Sequence, residues 1–156
     1  APNLWLHTAN ETDLSNLREW KNKHRHFFFF KDEVTPDQQA AWFLSYQGRP
    51  KDFMFMVKLE EEAIGCMGIR LKDNIWDVYN VILGLSQFQG RGLMGKAFEA
   101  MLGYAMSRHP TQITLKVLKQ NPAVAWYQKN GFLITSEEED HYSMSYLSDN
   151  KEQGLI

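Results

Sequence analysis

The chain has one cysteine, Cys66, so it can form no internal disulfide and no thiolate metal cluster. Long apolar runs are equally scarce. No stretch approaches the roughly 20 residues a bilayer-spanning helix needs, and the longest aromatic run is only Phe27 to Phe30. The opening residues APNLWLHT lack the basic-then-apolar layout of a secretory signal. A reducing compartment is the simpler assumption, and a soluble, cytoplasmic protein with no membrane partner is the expectation. Nor is there an excess of charge of one sign. Seventeen Lys and Arg against nineteen Asp and Glu leave −2, which argues against nucleic acid as a partner held by bulk electrostatics. No Gly-Lys-Ser/Thr occurs, so a Walker phosphate loop is excluded.

What is present reads as one globular domain. Of 156 residues, 44% are apolar and 23% charged, an ordinary balance for a single core. NLWLHTA alternates like a half-buried strand. TDLSNLREWKNKH puts Leu14, Leu17 and Trp20 on one helical face, with Thr12 as cap. Thr35-Pro36-Asp37-Gln38 is a capping box with proline at the first helical position, opening a helix that stops before Gly48. FMFMVKL and AIGCMGIRL flank an acidic turn as a hairpin, and Asp73-Asn74 turns the chain into the strand IWDVYNVILGL. A helix to about His109, the strand QITLKVL, a short helix capped by Gly131, and the strands FLITSEE and HYSMSYL follow. Hairpins at both ends and strand–helix–strand units between them predict an α/β domain, a mixed sheet covered by helices.

The segment QFQGRGLMGKAFEAML crowds three glycines where that helix should begin. A glycine-rich turn opening a helix exposes amide N–H groups and lets a phosphate come close. Gly90, Gly92 and Gly95 stand where such amides are needed, beside Arg91 and Lys96. The spacing matches a dinucleotide fingerprint, but Gln112 lies near the position where that motif needs an acid. On the glycines alone, a ligand-free tight turn competes equally with a phosphate site.

VILGLSQFQGRGLMGKAFEAML followed by ITLKVLKQNPAVAWYQKNGF resembles the acetyl-CoA-binding core of the GNAT superfamily of N-acetyltransferases. The resemblance rests on a Gln/Arg-x-x-Gly-x-Gly/Ala turn after the fourth strand and on Tyr127-x-x-x-Gly131-Phe132 closing a later helix. It implies a GNAT-like domain over residues 1–148, of α+β type, with a mostly antiparallel sheet of about six to seven strands and helices on both faces. Residues 149–156 are expected to form a frayed tail. It also implies acetyl-CoA as co-substrate, with no metal. Gln89, Gly90, Arg91, Gly92, Leu93, Met94 and Gly95 would hold the pyrophosphate, with methionine at Met94 where the family has a small residue. A register two residues earlier also satisfies the pattern. Ile82, Leu83 and Gly84 would meet the pantetheine and thioester through their backbone. Asn121 would contact the cofactor, unless Gln120 takes that place and Asn121 only caps the helix before Pro122.

Direct acetyl transfer needs a neutral amine, stabilisation of the oxyanion and a proton for the thiolate. Tyr127 matches the family's proton donor. No base is assigned: the matching strand position is Val78, alternation turns Asp77 to the opposite face, and Asn80, expected on the face of Val78, is not basic. For the acceptor, the connector KHRHFFFF mixes cationic and stacking groups, and the expected contacts are His24, His26, Phe28, Asn80 and His141. A metal site from the histidines is rejected for want of carboxylates. The expected reaction is acetylation of a small-molecule amine, first an amino sugar or nucleotide-linked amino sugar. Acetylation of a protein N-terminus and a non-catalytic acyl-CoA-binding module are the alternatives. The sequence leaves a monomer or a homodimer open.

Overall fold

The alternating residues at the start of the chain form β1 (Leu4–Thr8), an edge of a seven-stranded sheet, in a computed structural model that describes residues 2–147. The proposed tail 149–156 lies outside the described residues. The first helix is entered earlier than a Thr12 cap dictates. The Asn10 side chain accepts from Thr12 N–H at 3.0 Å while Asp13 accepts from Asn10 N–H at 2.9 Å. This reciprocal pair starts a 3-10 turn that runs into α1 (Leu14–Lys23). The second helix, α2 (Pro36–Gln47), has the expected box, with both Thr35–Gln38 bonds made.

β2 (Asp52–Leu59) and β3 (Glu62–Lys72) form the first hairpin, and β4 (Ile75–Leu83) follows. The β3–β4 turn is Asp73-Asn74, with φ of 52° and 64°, the left-handed pair that a two-residue hairpin requires. After it come α3 (Leu93–Arg108), β5 (Ile113–Leu118), α4 (Ala123–Lys129), β6 (Phe132–Glu137) and β7 (His141–Tyr146). The sheet order is β1-β2-β3-β4-β5-β7-β6, and only the β4–β5 pairing is parallel. On one face Trp76, Val78, Ile113 and Leu115 pack with Phe98, Met101 and Leu102 of α3. On the other, Met54, Met56, Cys66 and Ile82 pack with Leu17 and Trp20 of α1 and Tyr46 of α2. Each large side chain buried this way contributes about 1.5–3 kcal/mol before conformational entropy is charged against it.

Two irregularities of β4 position the site. Its ladder to β5 has only three pairs, Trp76–Ile113 to Val78–Leu115. Beyond them β4 stays with β3 as far as Leu83, while β5 stays with β7 as far as Leu118. The strands therefore part, and the peptide groups of Tyr79–Leu83 on that side have no ladder partner. The second irregularity is a bulge. Ile82 pairs with Cys66 but Tyr79 with Gly68, so Asn80 and Val81 oppose the single residue Met67. Asn80 takes a left-handed φ of 49° to make this possible. A bulge resets side-chain alternation. Asn80 consequently reaches α1 instead of sharing the α3-facing side of Val78, which corrects the simple alternation argument.

Candidate active site

α3 begins at Leu93 with Gly92 as its N-cap, φ 73° and ψ 8°. The first bond runs from Lys96 N–H to Gly92 O at 3.2 Å, leaving the N–H groups of Leu93, Met94 and Gly95 without helical acceptors. In the register in which Gln89 opens the turn, these amides follow it directly. Gly90 and Gly92 are both left-handed, with φ of 78° and 73°, and a Cβ on either would meet nothing within 4 Å. Backbone conformation, rather than crowding, is what requires glycine there. The Arg91 guanidinium lies 5.3 Å from the centroid of the Phe88 ring, which ends a short 3-10 turn, Ser86–Phe88. Met94 does not enter the turn. Its Sδ and Cε lie 3.0–3.1 Å from where a Gly65 Cβ would stand, so the large side chain folds back onto β3 and a glycine makes its room.

At the end of β4, the Gly84 and Leu85 amides both donate to Ile64 O, at 2.8 and 3.1 Å. The chain leaves the strand there, two residues before the apolar run ends. A side chain on Gly84 would overlap the Trp20 indole, so this glycine seats α1 on the sheet. Ile82 is buried against that helix layer and Leu83 is half-buried at the mouth of the gap.

The connector between α1 and α2 spans the gap. On the β4 side it starts from the seated Trp20 and from Lys21, whose Nζ donates to Asn80 Oδ1 at 2.6 Å. On the far side Gln120 Nε2 donates to His26 O at 2.8 Å and Asn121 Nδ2 to Phe27 O at 3.3 Å. Asn121 Oδ1 meanwhile accepts from Ala123 N–H at 2.9 Å, capping the first turn of α4. Asn121 thus holds the connector and the helix start together, and Gln120 works beside it. Phe29 meets the His141 ring edge-on with centroids 5.3 Å apart, and His26 packs on Phe27. Asn22 exchanges two bonds with Val34, closing the loop at its base. His24 sits at the C-terminal cap of α1, its imidazole pKa lowered by burial and then by Lys23 and His26. Of the expected acceptor residues, Phe28 and Asn80 are brought together through Lys21; His26 and His141 stand on the other wall.

Lys21 itself escaped the sequence reading. Its Nζ sits 3.8 Å from the Phe28 ring centroid, and burial, aided by Arg70, holds its pKa down to about 8. The signal was available: Lys21 follows Leu14 and Leu17 at helical spacing, on the stripe that faces the core. Nearby Cys66 donates to Asn80 O at 3.4 Å, and burial pushes its thiol up to about 12, so it stays protonated. Asp77 faces the α1–α2 side, paired with Arg70 at 3.0 Å. Arg70 also covers the Tyr79 ring, and Tyr79 O–H donates to Asp52.

Tyr127 lies in α4 with its ring buried among Phe98, Trp126 and Phe132. Burial raises its phenol above the ordinary range. Its hydroxyl makes no hydrogen bond among the described residues, and no buried side-chain polar atom there is left unsatisfied, so the oxygen reaches solvent. Among the described residues no cluster of three His, Cys, Asp or Glu is placed to hold a metal. No helix there is long and apolar enough to cross a membrane.

The fold is shared with several solved structures. The aminoglycoside acetyltransferase AAC(6')-Ib, in complex with ribostamycin and coenzyme A, superposes with a TM-score of 0.79 at 18% identity, covering 99% of this chain and 98% of that one. Spermidine N-acetyltransferase from Vibrio cholerae, in complex with CoA and spermine, gives 0.78 at 19% identity, covering 91% and 94%. An N-acetyltransferase from Staphylococcus aureus Mu50 gives 0.75 at 14%, covering 92% and 96%. At such identities the likeness is one of fold. No curated protein matches the chain by sequence. The family model described as "Acetyltransferase (GNAT) domain" matches residues 3–133, most of the chain and both halves of the site, and the protein belongs to the GNAT family of acetyltransferases.

Proposed function

We propose that the protein transfers acetyl from acetyl-CoA directly to a primary amine of a small molecule, with an amino sugar or nucleotide-linked amino sugar the first candidate. The observation that carries this reading is the parting of β4 from β5 directly upstream of a helix start with three free amides. In it the amides of Leu93, Met94 and Gly95, with Arg91, hold the pyrophosphate, and the unladdered edge of β4 accepts the amide-bearing arm. The thioester then lies near Leu83 and the bulge. The amine nitrogen attacks the carbonyl carbon, a backbone N–H steadies the oxyanion, and the C–S bond breaks, releasing the thiolate as the nitrogen loses its proton to solvent water. Tyr127, kept protonated by burial, donates a hydrogen bond to the departing sulfur.

A roof fastened on both sides of the gap suits a small acceptor better than an open peptide groove. That favours small amines over protein N-termini. A cytoplasmic site of action accords with the substrate, because acetyl-CoA is an intracellular metabolite. The test is thiol release from acetyl-CoA across a panel of amino sugars, nucleotide-linked amino sugars, polyamines and N-terminal peptides. Transfer to a small amine is expected. Tight CoA binding with no transfer to any amine would leave the acyl-CoA-binding module, and peptide-only transfer the N-terminal acetyltransferase.

A further inference from the structure

Lys21 is a partly buried ammonium with no carboxylate in ion-pair range among the described residues. The strand carboxylates on its side of the sheet already have partners: Asp52 pairs with Arg49 at 3.1 Å and accepts from Tyr79, and Asp77 pairs with Arg70 at 3.0 Å. Those pairs cancel, and the Lys21 charge remains. Its nitrogen touches only a neutral carboxamide, Asn80, and the Phe28 face, so at least one of its three N–H donors is uncommitted. Desolvating a charge without a counter-ion is unfavourable, and the lowered pKa of Lys21 has that cause first. The charge also sits on the bulged residue of β4, under the connector, where the acceptor must lie if acetyl-CoA occupies the gap.

We propose that Lys21 is a specificity-determining residue of the acceptor chamber, binding a carboxylate or phosphate carried by the amine and disfavouring polycationic amines. The proposal rests on the acetyltransferase reading. An anionic group at Nζ supplies the missing counter-charge and takes the free donor. A second ammonium would face like charge at short range in a poorly solvated space. The chamber therefore differs in kind from one suited to a polyamine.

The test begins by saturating the protein with CoA and confirming binding by calorimetry; failure at that step refutes the acetyl-CoA reading itself and not the role of Lys21. Thermal unfolding of the CoA complex is then followed with inorganic phosphate, acetate or chloride at matched ionic strength. Phosphate and acetate should raise the midpoint of the parent and of Lys21→Arg, and should do nothing specific to Lys21→Met. In parallel, glucosamine is compared with glucosamine 6-phosphate, glycinamide with glycine, and spermidine is included. In each active pair the acidic member should have roughly tenfold or higher kcat/KM, as a charge-assisted hydrogen bond implies, through KM, and Lys21→Met should abolish the preference. Equal midpoint shifts in parent and Lys21→Met, or a preference for spermidine or the neutral amines, overturn the proposal. So does a Lys21→Arg variant whose kcat collapses at unchanged KM, which would make Lys21 a proton acceptor instead.

Discussion

Replacing Gly92 by alanine should weaken coenzyme A binding by about five- to thirtyfold. The residue holds φ 73° and ψ 8°, a region that disfavours a side-chain-bearing residue by roughly 1–2 kcal/mol. No steric contribution adds to this, since a Cβ would meet nothing within 4 Å. If the turn relaxes, the loss appears in affinity, where about 1.4 kcal/mol is tenfold. If it holds, the loss appears as a lower unfolding midpoint, so calorimetric Kd and thermal unfolding must be measured together. Asparagine tolerates the left-handed region better than other side chains, so Gly92→Asn should lie between parent and Gly92→Ala, and Gly92→Val should be worst. An alanine variant unchanged in both quantities refutes the conformational argument. Asparagine as harmful as valine would mean that bulk against the ligand, rather than backbone shape, controls the site.

Three further outcomes follow from the packing and the charges. Gly84→Ala should destabilise by about 1–3 kcal/mol, the usual range for overpacking, because its methyl overlaps the Trp20 indole; urea unfolding checks this, and Trp20→Leu in the same chain should recover part of the loss. Tyr127→Phe should lower kcat by about a hundredfold or more and leave the pH–rate profile unchanged in shape, because burial already keeps the hydroxyl protonated; undiminished turnover removes it from the mechanism. The third concerns Lys21, faced by Cys66 and Arg70 of β3, Asn80 of β4 and the Phe28 ring. Its folded pKa of about 8 lies below the unfolded value of 10.5, so between those limits the unfolded chain binds more protons and stability rises with pH. Measured against Lys21→Met by denaturant unfolding, the parent should gain about 2 kcal/mol from pH 7 to pH 10, and parallel curves would show that Lys21 is solvated.

Much of this architecture was legible because local chemistry announced it. The Thr35–Gln38 box, the Asp73-Asn74 turn and Gly131 after α4 each carry a backbone requirement that few other residues meet. The first helix was entered at Asn10 because two competing caps stood within three residues, and reciprocity with Asp13 decided between them. The bulge at Asn80 was not legible. Nothing in IWDVYNVILGL marks which residue becomes the extra one, and that position depends on how β3 and β4 settle over Tyr79 and Gly68. The candidate residues of the turn lay in one contiguous segment and could be found together. Lys21 and Asn80 meet across 59 positions of chain, a contact no local pattern encodes. Met94 is the reverse case, a residue that breaks the family's pattern locally and is answered by Gly65, remote in sequence.

On its far side the connector is hydrogen-bonded by Gln120 and Asn121 through carboxamide-to-carbonyl bonds. Neither partner titrates, and neither interaction is screened appreciably by salt. What lies beneath, the Lys21 ammonium, responds to both. The two walls of the chamber therefore answer to different variables: acidity and ionic strength act on the Lys21 side, where the acceptor is held, and leave the Gln120 and Asn121 bonds of the far side in place.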